Sequence, residues 1–316
     1  MALDANNLRR RRQSSRVRHR PAEGLACGTF GLRSTVRTRS QRMPDPTATF
    51  DDFENLRVEV RDHVAHVTLD QPEQRNAMSP EMGAEIQSLV PRLNAAPDLR
   101  VVVFRGAGKA FSAGGNLDRL EEDALSGNSG EKKGQGIGGG RSFYSMFLSI
   151  RDLAMPTIAA INGHAIGAGF CFALGADLRV VHEKALLGMT FVRLGIHPGM
   201  AATWNLPRLV GPAAAADLLF TGRLVGAEEA LRLGIAARIA GDDFDAVVDE
   251  MAEQIATAAP VAVRAVKQTL RGTYERSIDE AIGIEADEQA RTFTTRDALE
   301  GIRAIKEKRS PSFENR

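Results

Sequence analysis

Asn162-Gly163-His164-Ala165-Ile166-Gly167-Ala168-Gly169-Phe170 decides how this chain reads. An apolar run, Thr157 to Ile161, precedes it, and Cys171-Phe172-Ala173-Leu174 follows. The order is that of a buried strand, a tight glycine turn and a helix opening on small residues. Glycine and alanine leave the backbone bare, so a ligand can reach the first N–H groups of the helix. Those groups have no intrahelical acceptor and carry the positive end of the helix dipole. They suit an oxyanion that develops during a reaction. Close packing of helix on strand selects the same small residues, so this stretch alone leaves both readings open.

A second stretch tips the balance. Lys109-Ala-Phe-Ser-Ala-Gly-Gly-Asn-Leu117 follows the apolar strand Val101 to Phe104 and again ends in a small-residue turn that opens a helix. Two such units can aim two N–H donors at one carbonyl oxygen. Other segments stand in order along the chain: Gln74-Arg-Asn-Ala-Met78, Leu194-Gly-Ile-His-Pro-Gly199, Thr221-Gly222 with Ala227-Glu-Glu-Ala230, and Glu300-Gly-Ile-Arg-Ala-Ile-Lys-Glu-Lys-Arg309. Together they make the chain, from about residue 55 to its C-terminus, resemble the crotonase (enoyl-CoA hydratase/isomerase) superfamily. The resemblance implies an α/β fold, a spiral of repeated ββα units with a C-terminal helical oligomerisation region. It divides the chain into a disordered basic extension (1–50), a spiral core with an acyl-CoA site (51–242) and trimerisation helices (243–316).

The same resemblance implies an acyl thioester as substrate, with coenzyme A as part of it, no permanently bound cofactor and no metal. The thioester oxygen would sit between the N–H groups of Gly115 and Ala168, the positions matching the family's oxyanion hole. Backbone around Arg75, Asn76 and Ala77, together with Ala113, would touch the coenzyme. Lys306, with Lys308 and Arg309, would meet coenzyme phosphates on a neighbouring subunit; a solvated charged helix end accounts for the same residues. The expected assembly is a homotrimer or a dimer of trimers, without nucleic acid or membrane.

The acid/base positions depart from the family pattern. Hydratases of this family use two glutamates, which here align with Cys171 and Phe191, and some isomerases use an acid at the position of Gly199. A two-glutamate hydration is therefore disfavoured. His197 stands on the loop beside the missing acids, and histidine as a residue type suits proton transfer near neutral pH; packing or capping before Pro198 is its plainer role. Cys171 reads as core filling before a nucleophile, Asn116 as a helix cap, His164 as structural, and Tyr144 as a core or pocket aromatic before a group acting on the substrate. Three functions fit: an isomerase, decarboxylase or hydrolase-like enzyme that relies on the oxyanion hole, a hydratase with non-standard acid/base groups, and a non-catalytic acyl-CoA binder.

Composition agrees with a globular enzyme: 316 residues, 43% hydrophobic and 26% charged, without an apolar run of the roughly 18 residues that span a membrane. Two cysteines, Cys27 and Cys171, exclude a disulfide framework or zinc spacing. The expected location is cytoplasmic, or the mitochondrial matrix if residues 1–42 form a presequence. That head carries eleven Arg and two acids, a balance of +9 that leaves −8 for the remainder. Three origins fit it: a presequence, a nucleic-acid-binding arm, or translated upstream sequence with Met43 as the true start. Gly127 to Gly140 holds seven glycines and reads as a mobile stretch. Val58–Val60 and Val64–Leu69 read as a hairpin in which His63 and His66 are strand residues.

Overall fold

The computed structural model describes residues 50–128 and 141–315. The expectations for the basic head and for most of the glycine-rich stretch lie outside the described residues.

Alternating apolar residues make β1 (Leu56–Arg61) and β2 (Val64–Leu69) an antiparallel hairpin with Arg61 opposite Val64. Asp62 and His63 hold positive φ, 47° and 66°, as the tightest hairpin turns require. His63 is thus a turn residue, not the strand residue expected; the two-residue connection leaves no room for it in β2. Its Nδ1 lies 2.9 Å from the Asp98 carbonyl. His66 does lie in the strand, where Arg61 Nε donates to its Nε2 at 3.1 Å. Burial, then the Arg61 charge, lowers its pKa. Helix α1 (Pro80–Ala95) starts where Ser79 Oγ accepts the Met82 N–H at 3.2 Å. Proline suits its first turn, and Met82, Ile86, Leu89 and Leu93 turn inward at helical spacing.

A repeat then takes over. β3 (Val101–Gly106) and β4 (Ala110–Ser112) lead into α2 (Leu117–Asn128). After α3 (Arg141–Leu148), β5 (Thr157–Ile161) and β6 (His164–Ile166) lead into α4 (Ala168–Ala173). β7 (Leu178–His182) and β8 (Leu186–Gly188) lead through a 3₁₀ turn at Thr190–Leu194 into α5 (Ala202–Val210). The first strand of each unit joins one sheet and the second joins another. Completed by α6 (Pro212–Thr221), β9 (Val225–Gly226), α7 (Ala227–Arg232) and β10 (Arg238–Ala240), the sheets run β1-β2-β3-β5-β7-β10 and β4-β6-β8-β9. β3, β5 and β7 are parallel neighbours, as are β4, β6 and β8. β6, read as part of a turn in the sequence, is a short strand whose three residues carry no periodicity.

Phe104, Phe111, Phe147 and Phe172 fill the space beneath α1 and α3, with Phe104 and Phe172 edge to face at 5.4 Å. The other face of the large sheet is covered by α8 (Phe244–Ala256), whose Phe244, Val248 and Met251 pack with Val101, Val103, Ile158 and Val180. On α9 (Pro260–Leu270) the buried Lys267 ties the helix down, its Nζ 2.7 Å from both the Met155 carbonyl and Asp177. α10 (Ile278–Phe293) and α11 (Arg296–Glu307) differ. α10 buries no residue at all, and Ile278, Phe293 and Ile305 are 74%, 64% and 80% exposed. Among the described residues no helix is long and apolar enough to cross a membrane.

Candidate active site

Because β4, β6 and β8 run parallel side by side, with Ser112 opposite Ala165 and Ile166 opposite Gly188, the segments that follow them emerge together. Those segments are Ala113–Asn116, Gly167–Ala168 and Met189–Phe191. Gly114 holds φ +86° and Gly167 φ +54°, the left-handed region that side chains resist. A Cβ on Gly114 would run into the Ile166 carbonyl and stand 3.2 Å from the Ala168 nitrogen. One on Gly169 would stand 2.6 Å from the Ser112 side chain. Small residues therefore do what close packing and ligand access both require: they let the two turns touch.

Several of the amides around the turns are spoken for. Ala113 N–H donates to Arg75 O at 2.9 Å and Gly114 N–H to Ser112 Oγ at 3.2 Å. Gly167 N–H donates to Gly188 O at 2.8 Å, and Cys171 N–H to Gly167 O at 3.1 Å. The N–H groups of Gly115 and Ala168 have no protein acceptor among the described residues. Ala168 is buried and Gly115 half-buried, and an amide of this kind without a protein partner is open to an acceptor from outside the chain. α4 has only six residues, so the donor strength rests on the amide more than on a long helix dipole.

An open cleft of about 680 Å³ passes Ala77, Met78 and Ser79 and reaches Asn116, beside Gly115. Arg75 is exposed, with Arg75 and Asn76 in the left-handed region (φ 52° and 55°). Asn76 is fully buried. Its Oδ1 accepts the Gln71 N–H at 3.0 Å, and its Nδ2 donates to the carbonyls of Ala107 and Ala110, both at 2.9 Å. Its side-chain donors are all used within the chain, so its service to a ligand is to hold the Arg75–Ala77 loop in shape. Ser112, which sequence reading passed over, is the joint between the loops: its hydroxyl donates to Asn76 O at 2.7 Å and accepts from Gly114 N–H. A lone serine in the apolar run Ala110–Phe111 was the available signal.

The wall beyond the amides has no carboxylate at the three aligned positions. Cys171 is completely buried, and burial pushes its thiol up to about 12. The Phe191 ring lies 4.0 Å from where a Cβ on Gly167 would stand. Gly199 lies against Tyr144: a Cβ there would come 2.5 Å from the phenol oxygen and 2.7 Å from the ring carbon bearing it. Tyr144 is half-buried on α3, and its pKa is raised by burial first and by the neighbouring Cys171 second. Phe143 and Phe147 pack edge to face on the buried side of α3 at 5.1 Å.

His197 is exposed, with Nδ1 2.7 Å from the Pro198 carbonyl; a carbonyl only accepts, so Nδ1 carries the proton and Nε2 stays open. His164 Nδ1 accepts the Leu186 N–H at 3.0 Å, and Asn116 Oδ1 accepts from Asp118 and Arg119 N–H as a cap. Arg75–Ala77, Ala113–Gly115 and Gly167–Ala168 come together. Lys306 does not join them: it is exposed on α11, whose tail is tied to Pro97 and Arg100 at the start of β3.

Comparison with known proteins gives the same architecture a lineage. An enoyl-CoA hydratase from Bacillus anthracis superposes with a TM-score of 0.75 at 32% identity, over 83% of this chain and 100% of its own. One from Polaromonas sp. JS666 superposes with a TM-score of 0.75 at 30% identity, over 82% and 99%. The fold is the crotonase-like α/β fold. Carnitinyl-CoA dehydratase from Proteus mirabilis is 35% identical over 269 residues, 83% of this chain and 99% of that protein. Residues 59–316 match the family described as enoyl-CoA hydratase/isomerase. The chain belongs to the enoyl-CoA hydratase/isomerase family, a family of enzymes acting on acyl-CoA.

Proposed function

We propose that this enzyme binds an acyl thioester of coenzyme A with its carbonyl oxygen between the N–H groups of Gly115 and Ala168. As negative charge moves onto that oxygen, the two amides stabilise a thioester enolate. One observation carries the reading: two unpaired amides, on turns in contact, at the same end of parallel strands. Removing one donor of this kind typically costs about 2.7–4 kcal/mol of barrier. The coenzyme would enter along the cleft past Ala77, with Arg75 at its rim and Ala113 behind it. His197, exposed on its loop, can exchange protons with solvent. Chemistry that works without two glutamates follows: isomerisation, decarboxylation or hydrolysis.

The exposed apolar residues of α10 and α11 support assembly into a trimer or a dimer of trimers, since a face of this size is normally covered. In that assembly Lys306 would meet a neighbour's coenzyme. The buried free thiol of Cys171 favours a reducing compartment, and the cytoplasm is the proposed one.

Incubation with a mixed acyl-CoA panel, followed by mass analysis and an absorbance trace for isomerisation, tests the reading. Turnover of at least one thioester by the wild type, lost in the Ala168→Pro variant, supports it; no turnover with binding intact refutes it. The names of the hydratase relatives favour a second reading, hydration with other acid/base groups. Crotonyl-CoA hydration below about a thousandth of a typical 10 turnovers per second removes it.

A further inference from the structure

The three positions aligned with the family's acids are not simply empty. Cys171 fills one with a thiol, Phe191 fills another with a ring, and the space in front of Gly199 is taken by the hydroxyl end of Tyr144. The fit is close enough that even a methyl group on Gly199 would overlap the phenol where it now stands. A side-chain acid at 199 and the phenol of Tyr144 thus exclude each other, and this chain carries the phenol.

The phenol is also available. Its oxygen has no hydrogen-bond partner among the described residues, and it is not among the buried atoms that are occluded without one. Cys171, which acts on it electrostatically, begins the second turn of α4, three residues after Ala168. That separation is about 4.5 Å along the helix axis. The hydroxyl thus faces Gly199 and is within electrostatic reach of Cys171 on the helix whose first amide would hold the thioester oxygen.

Resting on the oxyanion reading above, we propose that Tyr144 is the proton donor of this site, serving a 2-carboxyacyl thioester of the malonyl type whose carboxylate leaves as CO₂. The electron pair of the breaking carbon–carboxylate bond becomes the enolate, with its charge on the oxygen between Gly115 and Ala168. The enolate then re-forms its carbonyl while its α-carbon takes the phenolic proton, breaking the O–H bond and leaving a phenolate that recovers a proton from water. No oxidant, metal or further reactant enters the balance.

Two features of the wall select this route. Making an enolate by pulling off a proton needs a base that is free near neutral pH. Burial holds both the Cys171 thiol and the Tyr144 phenol in their protonated forms, which suits donation and not abstraction. Loss of CO₂ needs no base. The ring of Phe191 also solvates a carboxylate poorly, while the amides receive its charge once it has moved.

The test uses the full-length protein with malonyl-CoA and methylmalonyl-CoA in D₂O, with the products read by mass. The wild type is expected to release CO₂ and leave one deuterium on the product. Tyr144→Phe should lower kcat by about 100-fold with KM within about threefold. Gly199→Ala, which displaces the phenol without removing it, should fall between that variant and the wild type. A Tyr144→Phe variant that keeps its rate overturns the assignment. So does failure of both probes to lose CO₂. If in that case another acyl-CoA is turned over and Ala168→Pro stops it, only the donor and substrate class are wrong. If no thioester is turned over, the oxyanion reading falls as well.

Discussion

The two glycine turns and the wall that faces them are neighbours built on opposite principles. The turns present main-chain amides, so their chemistry survives any side-chain change that keeps the backbone path; Ala168 serves as well as a glycine would. The wall presents side chains, and at Cys171, Phe191 and Gly199 none of them is an acid. On the oxyanion reading proposed above, the contrast teaches that charge stabilisation belongs to the backbone path, whereas proton traffic belongs to individual residues.

The sharpest way to break the contrast is to delete a donor without touching a side chain that matters. Ala168→Pro removes the N–H, and proline is tolerated at the first position of a helix. Turnover of whichever acyl-CoA the panel reveals should drop by about 10²–10³-fold, measured as kcat. An unchanged kcat would mean that the amides do not meet the substrate.

Next in size is an attack on the turn geometry. Gly114→Ala places a methyl group against the Ile166 carbonyl at φ +86°, a strain of roughly 1–3 kcal/mol. Denaturant titration should show that loss, and turnover should fall with it because the Gly115 amide shifts. Ser112→Ala should cost a similar or smaller amount, about 1–3 kcal/mol, by orphaning the Gly114 N–H.

The smallest effect lies on the wall. Cys171→Ala should leave turnover within about threefold, since a thiol held at about 12 is not a nucleophile near neutral pH. Its signature is in stability against pH. Below pH 9, the ordinary thiol value, folded and unfolded chains both keep the proton, and the contribution is whole. Between 9 and about 12 the unfolded chain loses a proton that the folded one retains. Stability should therefore decline by roughly 1.4 kcal/mol per pH unit across that window, and the alanine variant should lack that part of the decline.

Much of this was legible in the chain itself. Glycines at 114 and 167 mark backbone that no side chain permits, and apolar runs ending in them place the turns on strand ends. The Ser79-Pro80 start of α1 and the cap at Asn116 follow from local chemistry alone. What stayed hidden depends on contacts between distant segments. Tyr144 and Gly199 are 55 positions apart in the sequence, so nothing periodic announces that one fills the space left by the other. β6 is too short to show alternation. Ser112 was overlooked because a hydroxyl in an apolar run has no pattern; its value appears only with Asn76 and Gly114 on either side.

That hydroxyl has a mechanical consequence. It grips the loop at Asn76 with its hydrogen and the turn at Gly114 with its oxygen, so neither segment shifts without tugging the other. If Arg75–Ala77 is where the coenzyme handle lands, seating the handle also tensions the amide that awaits the acyl group. Delivery and activation are then two ends of one lever, pivoting on a single oxygen atom.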